Sequence, residues 1–332
     1  MSASGQDVWV YVEHLRGTVA GSTYEMLGKG REIADALGGR LAAVILGAGT
    51  QPLASTLGAA DVVISVEDPS LAEFTPGAHA AVLRDLVQHR GPRVVFFGAT
   101  SIGMDLAAVL AGSLKMPLAV NATDVAVEDD RLVVTSQMCG GKLLAEAQIV
   151  ERPAAVTVLS GAFPAESGLS DRTPQIENVP PPPALDIRMK VRRLLEPAAG
   201  DVDITKVPVL VAVGRGLQRK ENLPLAEDLA QALGGAVCGS RPTVDQGWLP
   251  LSRQIGKSGL IVKPRLYLAL GISGAPEHVE GMKDAELIIA VNSDPNAPIF
   301  DVADYGAVLD MFELLPVLKD EIEKRKGMAA AS

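Results

Sequence analysis

Short runs of branched and aliphatic residues alternate with helix-length stretches along most of this chain. That alternation restricts it to α/β architectures, because parallel strands need a crossover between them and a helix is the usual one. Val8 to Val12 reads as a strand, and Ser22 with Glu25 makes the S-x-x-E spacing of a capping box, predicting a helix that runs to about Leu37. Leu41 to Leu46, Val62 to Val66 and Arg93 to Gly98 are compact apolar runs, with helices expected near Ala78 to His89 and Met104 to Leu114. From Ala122 to Val158 the helical pattern gives way to β-rich segments. They are joined by turns such as Asp129-Asp130 and Gly140-Gly141, as expected of antiparallel additions to the sheet.

Gly161 to Gly200 is proline-rich, including Pro180 to Pro183, and carries the basic run Arg188 to Arg193. A proline tract is stiff and extended and builds no packed core, so this stretch is read as an interdomain connection, with a surface loop inside one domain as the alternative. A second α/β series follows: a strand at Val207 to Val213, a helix near Leu223 to Leu233, a strand to Cys238 and another at Leu266 to Leu270. A helix after Gly274, a strand at Leu287 to Val291 and a final helix from about Val308 complete a smaller doubly wound unit. A chain of 332 residues can bury two such cores. The expected organisation is an N-terminal, mostly parallel sheet domain with antiparallel additions over 1–195, and the smaller doubly wound domain over 196–332.

A formal charge of −10 with 4% aromatic residues argues against a nucleic-acid surface, which needs clustered cations and stacking rings. Cys139 and Cys238 are far apart in sequence and in no C-x-x-C arrangement, so neither a disulfide framework nor a zinc site is indicated. Reduced thiols in a cytoplasm fit best. The N-terminus has no basic region ahead of a hydrophobic stretch, so no signal peptide is expected, and no uninterrupted apolar run reaches bilayer-spanning length.

Five segments of the second series fall where strands end, the edge at which open parallel sheets bind ligands. Val213-Gly214-Arg215-Gly216 offers close backbone approach and a guanidinium, although a G-x-G after a strand is also an ordinary tight turn. The full G-x-G-x-x-G fingerprint is absent, so a Rossmann-type NAD site is not supported. Gly239-Ser240-Arg241-Pro242 presents a Ser-Arg pair able to hold a diphosphate or lay a guanidinium over a ring; alternatively Arg241 pairs with Asp245 on the surface. Gln254 to Gly259 contains Ile255, Gly256, Lys257 and Ser258 but has Leu251 where a P-loop needs its upstream glycine, so ATP hydrolysis is not expected. The turn Gly271 to His278, with Ser273, Gly274, Ala275, Pro276 and Glu277, would aim free amides at an anion, while a lone His278 on a helix is as readily structural. Asn292 to Phe300, continuing to Gly306, is explicable as turn chemistry. Five such turns on one sheet edge are harder to dismiss than any one. No nucleophile with a base, carboxylate pair or metal cluster is apparent.

Read together, "GRG" at 214–216, "GSRPTVDQGW" at 239–248, "QIGKSG" at 254–259 and "LYLALGISGAPEHVEGMKDAELIIAVNSDPNAPIFDVADYG" at 266–306 resemble the FAD domain of electron-transfer flavoprotein alpha subunits. "FFGATSIGMDLAAVLA" and "NATDV" in the first half are similar to that family's first domain, so the resemblance covers essentially the whole chain. It implies one FAD in the second domain and a smaller beta subunit completing a heterodimer. It also implies electron transfer, as in fatty-acid β-oxidation, from flavin dehydrogenases of acyl-CoA type to a quinone reductase or other acceptor, with no substrate pocket of the carrier's own. By the same resemblance Arg215, Ser240, Ile255 to Ser258 and Ser273 to His278 would lie along the flavin and its diphosphate, and Asn292, Asp310 and Met311 nearer the adenosine. Arg241 and a donor from His278 would face the N1/C2 side of the ring, where reduction places negative charge, and the Ser258 hydroxyl would sit near N5. Two alternatives remain: a bifurcating complex whose partner subunit takes hydride from NADH, and a non-redox nucleotide-binding module. The chain departs from the family pattern at Lys257-Ser258, usually Gln-Thr, and at Pro276-Glu277, usually Ile-Gln. Ser for Thr keeps the hydroxyl, and proline is tolerated in a first helical turn.

Overall fold

The computed structural model describes residues 5–139, 141–183, 185, 188–194 and 202–330, with side chains to 326. The chain divides into two compact units, Met1–Leu194 and Leu195–Ser332.

In the first unit β1 (Val8–Tyr11), a small hairpin of β2 (His14–Leu15) and β3 (Thr18–Val19), and helix α1 (Gly21–Leu37) are followed by β4 (Leu41–Gly47), α2 (Gln51–Ala54) and β5 (Val62–Glu67). Then come α3 (Pro76–Arg90), β6 (Val94–Gly98), α4 (Ser101–Leu114), β7 (Leu118–Glu128), β8 (Arg131–Met138), β9 (Leu143–Ile149), β10 (Ala154–Val158) and β11 (Gln175–Asn178). Among the described residues one nine-stranded sheet runs β11-β5-β4-β1-β6-β10-β7-β8-β9. It is parallel from β11 to β7 and antiparallel at β8 and β9. Alternate residues of β1 enter opposite cores. Val8 and Val10 pack with Met26 and Leu27 of α1, while Trp9 and Tyr11 pack with Leu83 and Leu86 of α3 and Leu106 and Leu110 of α4.

Three expectations need correction. The capping box does not form: Ala20 is the residue before α1, Ser22 lies inside the helix, and the Glu25 carboxylate accepts the Gly161 N–H at 2.7 Å. A tertiary partner thus takes the side chain that local spacing assigned to a cap. Second, β10 is not an antiparallel addition but lies parallel between β6 and β7. Third, the proline-rich stretch is only partly connection. Its Ala165–Gly168 turn packs on α1, where a side chain at Gly28 would run into Ser167, and β11 extends the sheet beside β5. The Asp129-Asp130 turn is a pair of left-handed residues with φ of 48° and 62°, joining β7 to β8. Gly140 of the other turn lies outside the described residues.

The second unit contains β12 (Val209–Val213), α5 (Leu223–Leu233), β13 (Ala236–Ser240), α6 (Arg241–Asp245), β14 (Gln254–Ile255), β15 (Leu266–Leu270), α7 (Pro276–Val279), β16 (Ile288–Asn292), β17 (Tyr305–Val308) and α8 (Met311–Ala330). Its sheet runs β14-β13-β12-β15-β16-β17, parallel throughout. The chain winds outward from β12 to β14 and then starts again at β15 on the other side, which makes the gap between β12 and β15 the topological switch point. Val211 and Val213 face α5 and α8 through Leu229, Met311 and Leu315. Leu210, Ala212, Cys238 and Tyr267 face the other way, against Ile255, Met282 and Ile299.

Candidate functional site

Backbone contact organises the switch point. Gly216 donates its N–H to Gly271 O at 3.1 Å, and Gly214 donates to Leu270 O at 2.9 Å, tying the ends of β12 and β15 together. A Cβ on Gly271, whose φ is +60°, would stand 2.6 Å from the Gly216 Cα, so this approach is possible only between glycines. On the far side of β13, Gly256 has φ +132° and a Cβ on it would stand 2.7 Å from the Glu277 carbonyl oxygen, which accepts the Lys257 N–H at 2.7 Å. The β14 loop and α7 are thereby fastened to each other.

These ties leave a cavity of about 650 Å³, within the range of small-molecule sites, at the carboxyl ends of β12 to β16. Of the residues expected at a site, Arg215, Ser240, Arg241, Ile255, Gly256, Lys257, Ser258, Ser273, Gly274, Ala275, Glu277, His278 and Asn292 line it. Pro276, Asp310 and Met311 do not. Pro276 opens α7, Asp310 accepts the Phe312 N–H at the start of α8, and Met311 is buried under that helix with Val213 and Leu315. Gly216, Pro242, Gly271, Ile272, Asp294, Ala297 and Pro298 also line the cavity. All of these fall inside the five strand-end segments, but as glycine, proline and aliphatic walls they carry no chemistry by which residue type would single them out; Asp294 is the exception.

The lining holds the cations Arg215, Arg241 and Lys257 against the anions Glu277 and Asp294. Arg241 is both a cavity residue and a surface partner of Asp245, at 3.3 Å, so the two readings of it coexist. The Lys257 ammonium lies 3.9 Å from Glu280, while Ser258 Oγ accepts from the Gln254 amide at 3.1 Å. Asn292 is spent on architecture: its amide donates to Ile272 O at 2.8 Å and its oxygen accepts the Asp294 N–H at 3.0 Å.

His278 is the most enclosed polar side chain of the site, 5% exposed. Its Nε2 is 2.9 Å from the Tyr267 hydroxyl, and its Nδ1 is buried without a hydrogen-bond partner. Burial pushes its pKa down to about 4, with the Ile255 backbone opposing, so the ring is neutral at physiological pH. Sequence reasoning missed Tyr267, because a tyrosine within an apolar run reads as core.

This donor set fits a dinucleotide with a flavin. Guanidinium, ammonium and hydroxyl groups suit a diphosphate, the glycine cradle admits a flat ligand, and the buried His278 Nδ1 is a polar atom awaiting a partner. Among the described residues no cluster of metal-ligating side chains occurs, and no helix is long and apolar enough to cross a membrane.

Comparison with known proteins agrees. Residues 8–184 match the family model described as electron transfer flavoprotein domain, and residues 203–283 match that of the electron transfer flavoprotein FAD-binding domain. The chain is 39% identical to protein FixB of Clostridium saccharobutylicum, over 95% of this chain and 96% of that one. It is 38% identical to the electron transfer flavoprotein subunit alpha of Clostridium acetobutylicum, over 97% and 98%. Identity to the acryloyl-CoA reductase electron transfer subunit beta of Anaerotignum propionicum is 35%, over 98% and 97%. With its glycine-built switch point and both family domains in order, the chain belongs to the electron transfer flavoprotein alpha-subunit family and is an FAD-binding protein.

Proposed function

We propose that this chain, paired with a beta subunit, holds one FAD in the cavity at the β12–β15 switch point and serves as an electron carrier between a flavin dehydrogenase of acyl-CoA type and a quinone reductase or other acceptor. The observation that supports this most is the convergence of thirteen expected residues on that one cavity. Bound FAD supplies chemistry that takes up and releases electrons singly or in pairs. The chain's own residues bind and orient: Arg215 and Ser240 toward the diphosphate, Arg241 and His278 toward the ring edge where charge develops, Ser258 toward the nitrogen that gains a proton. We place the protein in the cytoplasm, because free cysteines such as the exposed Cys139 belong to reducing compartments.

A second reading, a subunit of a complex whose partner takes hydride from NADH, draws on the likeness to a relative named as part of an acryloyl-CoA reductase. Coexpression with the neighbouring beta subunit, a flavin count and a test with NADH separate the two. One FAD per complex, reduced by an acyl-CoA dehydrogenase and not by NADH, is expected; two FAD with rapid reduction by NADH would replace the carrier by the second reading. Arg241→Ala is expected to lower the midpoint potential of the bound FAD, and an unchanged potential would remove Arg241 from the ring edge.

A further inference from the structure

Two residues of the β14 loop share one hydrogen-bond system, and only one of them reaches the cavity. Gln254 is 3% exposed and lies outside the lining, while Ser258 is exposed and lines it. Backbone bonds close the loop between them: Leu260 donates its N–H to Gln254 O at 2.8 Å, Gly256 to Leu260 O at 3.2 Å and Gly259 to Gly256 O at 2.8 Å. The Gln254 side chain turns back onto the same loop. Its nitrogen, Nε2, lies 3.0 Å from Ser258 O and 3.1 Å from Ser258 Oγ.

The first of these contacts settles the second. A side-chain amide can be turned end for end, exchanging its oxygen and nitrogen, and the correct orientation is the one its partners demand. Ser258 O can only accept, so the group facing it is the NH2; a carboxamide oxygen in that place would oppose two acceptors at 3.0 Å. An amide nitrogen donates and does not accept. Ser258 Oγ therefore accepts from Gln254, and the hydroxyl proton points elsewhere, with no acceptor for it among the described residues. We propose that Gln254 is a positioning residue: by donating to both Ser258 O and Ser258 Oγ it turns the hydroxyl proton away from itself, so that Ser258 meets the bound ligand as a hydrogen-bond donor. The matching ligand atom is an oxygen or an unprotonated nitrogen. That this atom belongs to oxidised FAD rests on the reading of the cavity as the flavin site; the direction of the hydroxyl does not.

The test uses the complex with its beta subunit, this chain alone ¹³C,¹⁵N-labelled, and FAD as the probe. The Gln254 side-chain NH2, assigned through bonds to its own backbone, is expected to exchange slowly with and without FAD, and one of its two protons should shift in Ser258→Ala. Gln254→Glu has the same shape but offers the hydroxyl an acceptor, and so reverses it. Ser258→Ala should weaken binding of oxidised FAD about tenfold in the wild-type background, the equivalent of one neutral hydrogen bond, and cost nothing further in the Gln254→Glu background. Each ratio is taken within one background, so the charge that Gln254→Glu introduces cancels. Ser258→Thr keeps the hydroxyl and should bind FAD as the wild type does. An amide that exchanges freely or is indifferent to Ser258→Ala would overturn the proposal, as would an equal loss of affinity from Ser258→Ala in both backgrounds. Should Gln254→Glu fold poorly, the amide signal alone decides. A bonded amide with an FAD affinity that Ser258→Ala leaves unchanged would uphold the direction of the hydroxyl and overturn the placement of the flavin against Ser258.

Discussion

Both units set the ends of two neighbouring strands, wound in opposite directions, side by side, yet the N-terminal unit fills that crevice with its own side chain and the C-terminal unit leaves it open. After β1 the chain reads Val12-Glu13. The Glu13 carboxylate, 7% exposed as a residue, accepts the Thr100 hydroxyl at 2.8 Å and lies against Gly98 and Gly103 at the start of α4. After β12 the chain reads Gly214-Arg215-Gly216, and the backbone of β15 closes on it while the side chains turn outward to the cavity. Topology supplies a crevice in each case. Whether a ligand can enter is decided by one or two residues just past the first strand, which is why fold by itself assigns no function.

The sharpest way to break the comparison is to close the open crevice. Gly271→Val forces a branched side chain onto a φ of +60° and a Cβ to within 2.6 Å of the Gly216 backbone, where nothing flexible can yield. Strain of this kind costs about 3 kcal/mol or more, and the variant complex is expected to lose most of its FAD as well as stability. The flavin-to-protein absorbance ratio of the purified complex checks it. Full flavin content would show that the β12–β15 approach does not shape the site.

How much of this contrast is legible in the sequence depends on whether a signal is local. The strand ends at Gly214 to Gly216 and Gly271 to Gly274 announce themselves by glycine after an apolar run, and α5 is observed over the same Leu223–Leu233 that its periodicity predicts. Glu13 gives no such signal, because a single carboxylate after a strand has the look of a surface residue until Thr100, 87 positions away, folds onto it. Likewise β11 emerges from a proline-rich stretch only because β5 offers it an edge, and β17 has no apolar alternation, with Tyr305, Gly306 and Val308 exposed. The strand-end residues of the site are readable; what stands behind them, Tyr267 above all, depends on packing.

Each unit also buries one histidine, and there the two ought to behave alike. Burial pushes both His79 and His278 down to about 4. The folded pKa being below the unfolded value near 6.5, the unfolded chain binds the extra proton between those limits. The stability that each neutral ring represents is full above about pH 6.5 and is lost as pH falls toward 4, by roughly 2–3 kcal/mol per histidine. Urea midpoints of the complex taken from pH 7 to pH 4.5 should therefore drop, and His79→Gln and His278→Gln should each make the drop shallower. If only one of them does so, the symmetry between the units fails at that histidine.

The smallest effect is expected from removing the charge, not the shape, of the group that fills the N-terminal crevice. Burial raises the Glu13 pKa above its ordinary 4.5, the Thr100 hydrogen bond opposing. A raised carboxyl pKa means that the folded chain holds this proton more tightly, so its contribution to stability is complete below 4.5 and is lost as pH rises through the folded value. Glu13→Gln keeps an oxygen to accept from Thr100 and cannot ionise. It is therefore expected to abolish that loss and so to be more stable than the wild type at neutral pH, with flavin content unaltered because the open crevice belongs to the other unit. Stability of the N-terminal unit followed by Trp9 fluorescence across pH 4 to 8 measures it. A variant that still weakens with rising pH as the wild type does would mean that Glu13 sits as a solvated carboxylate, and the crevice would then count as occupied by water and not by the chain.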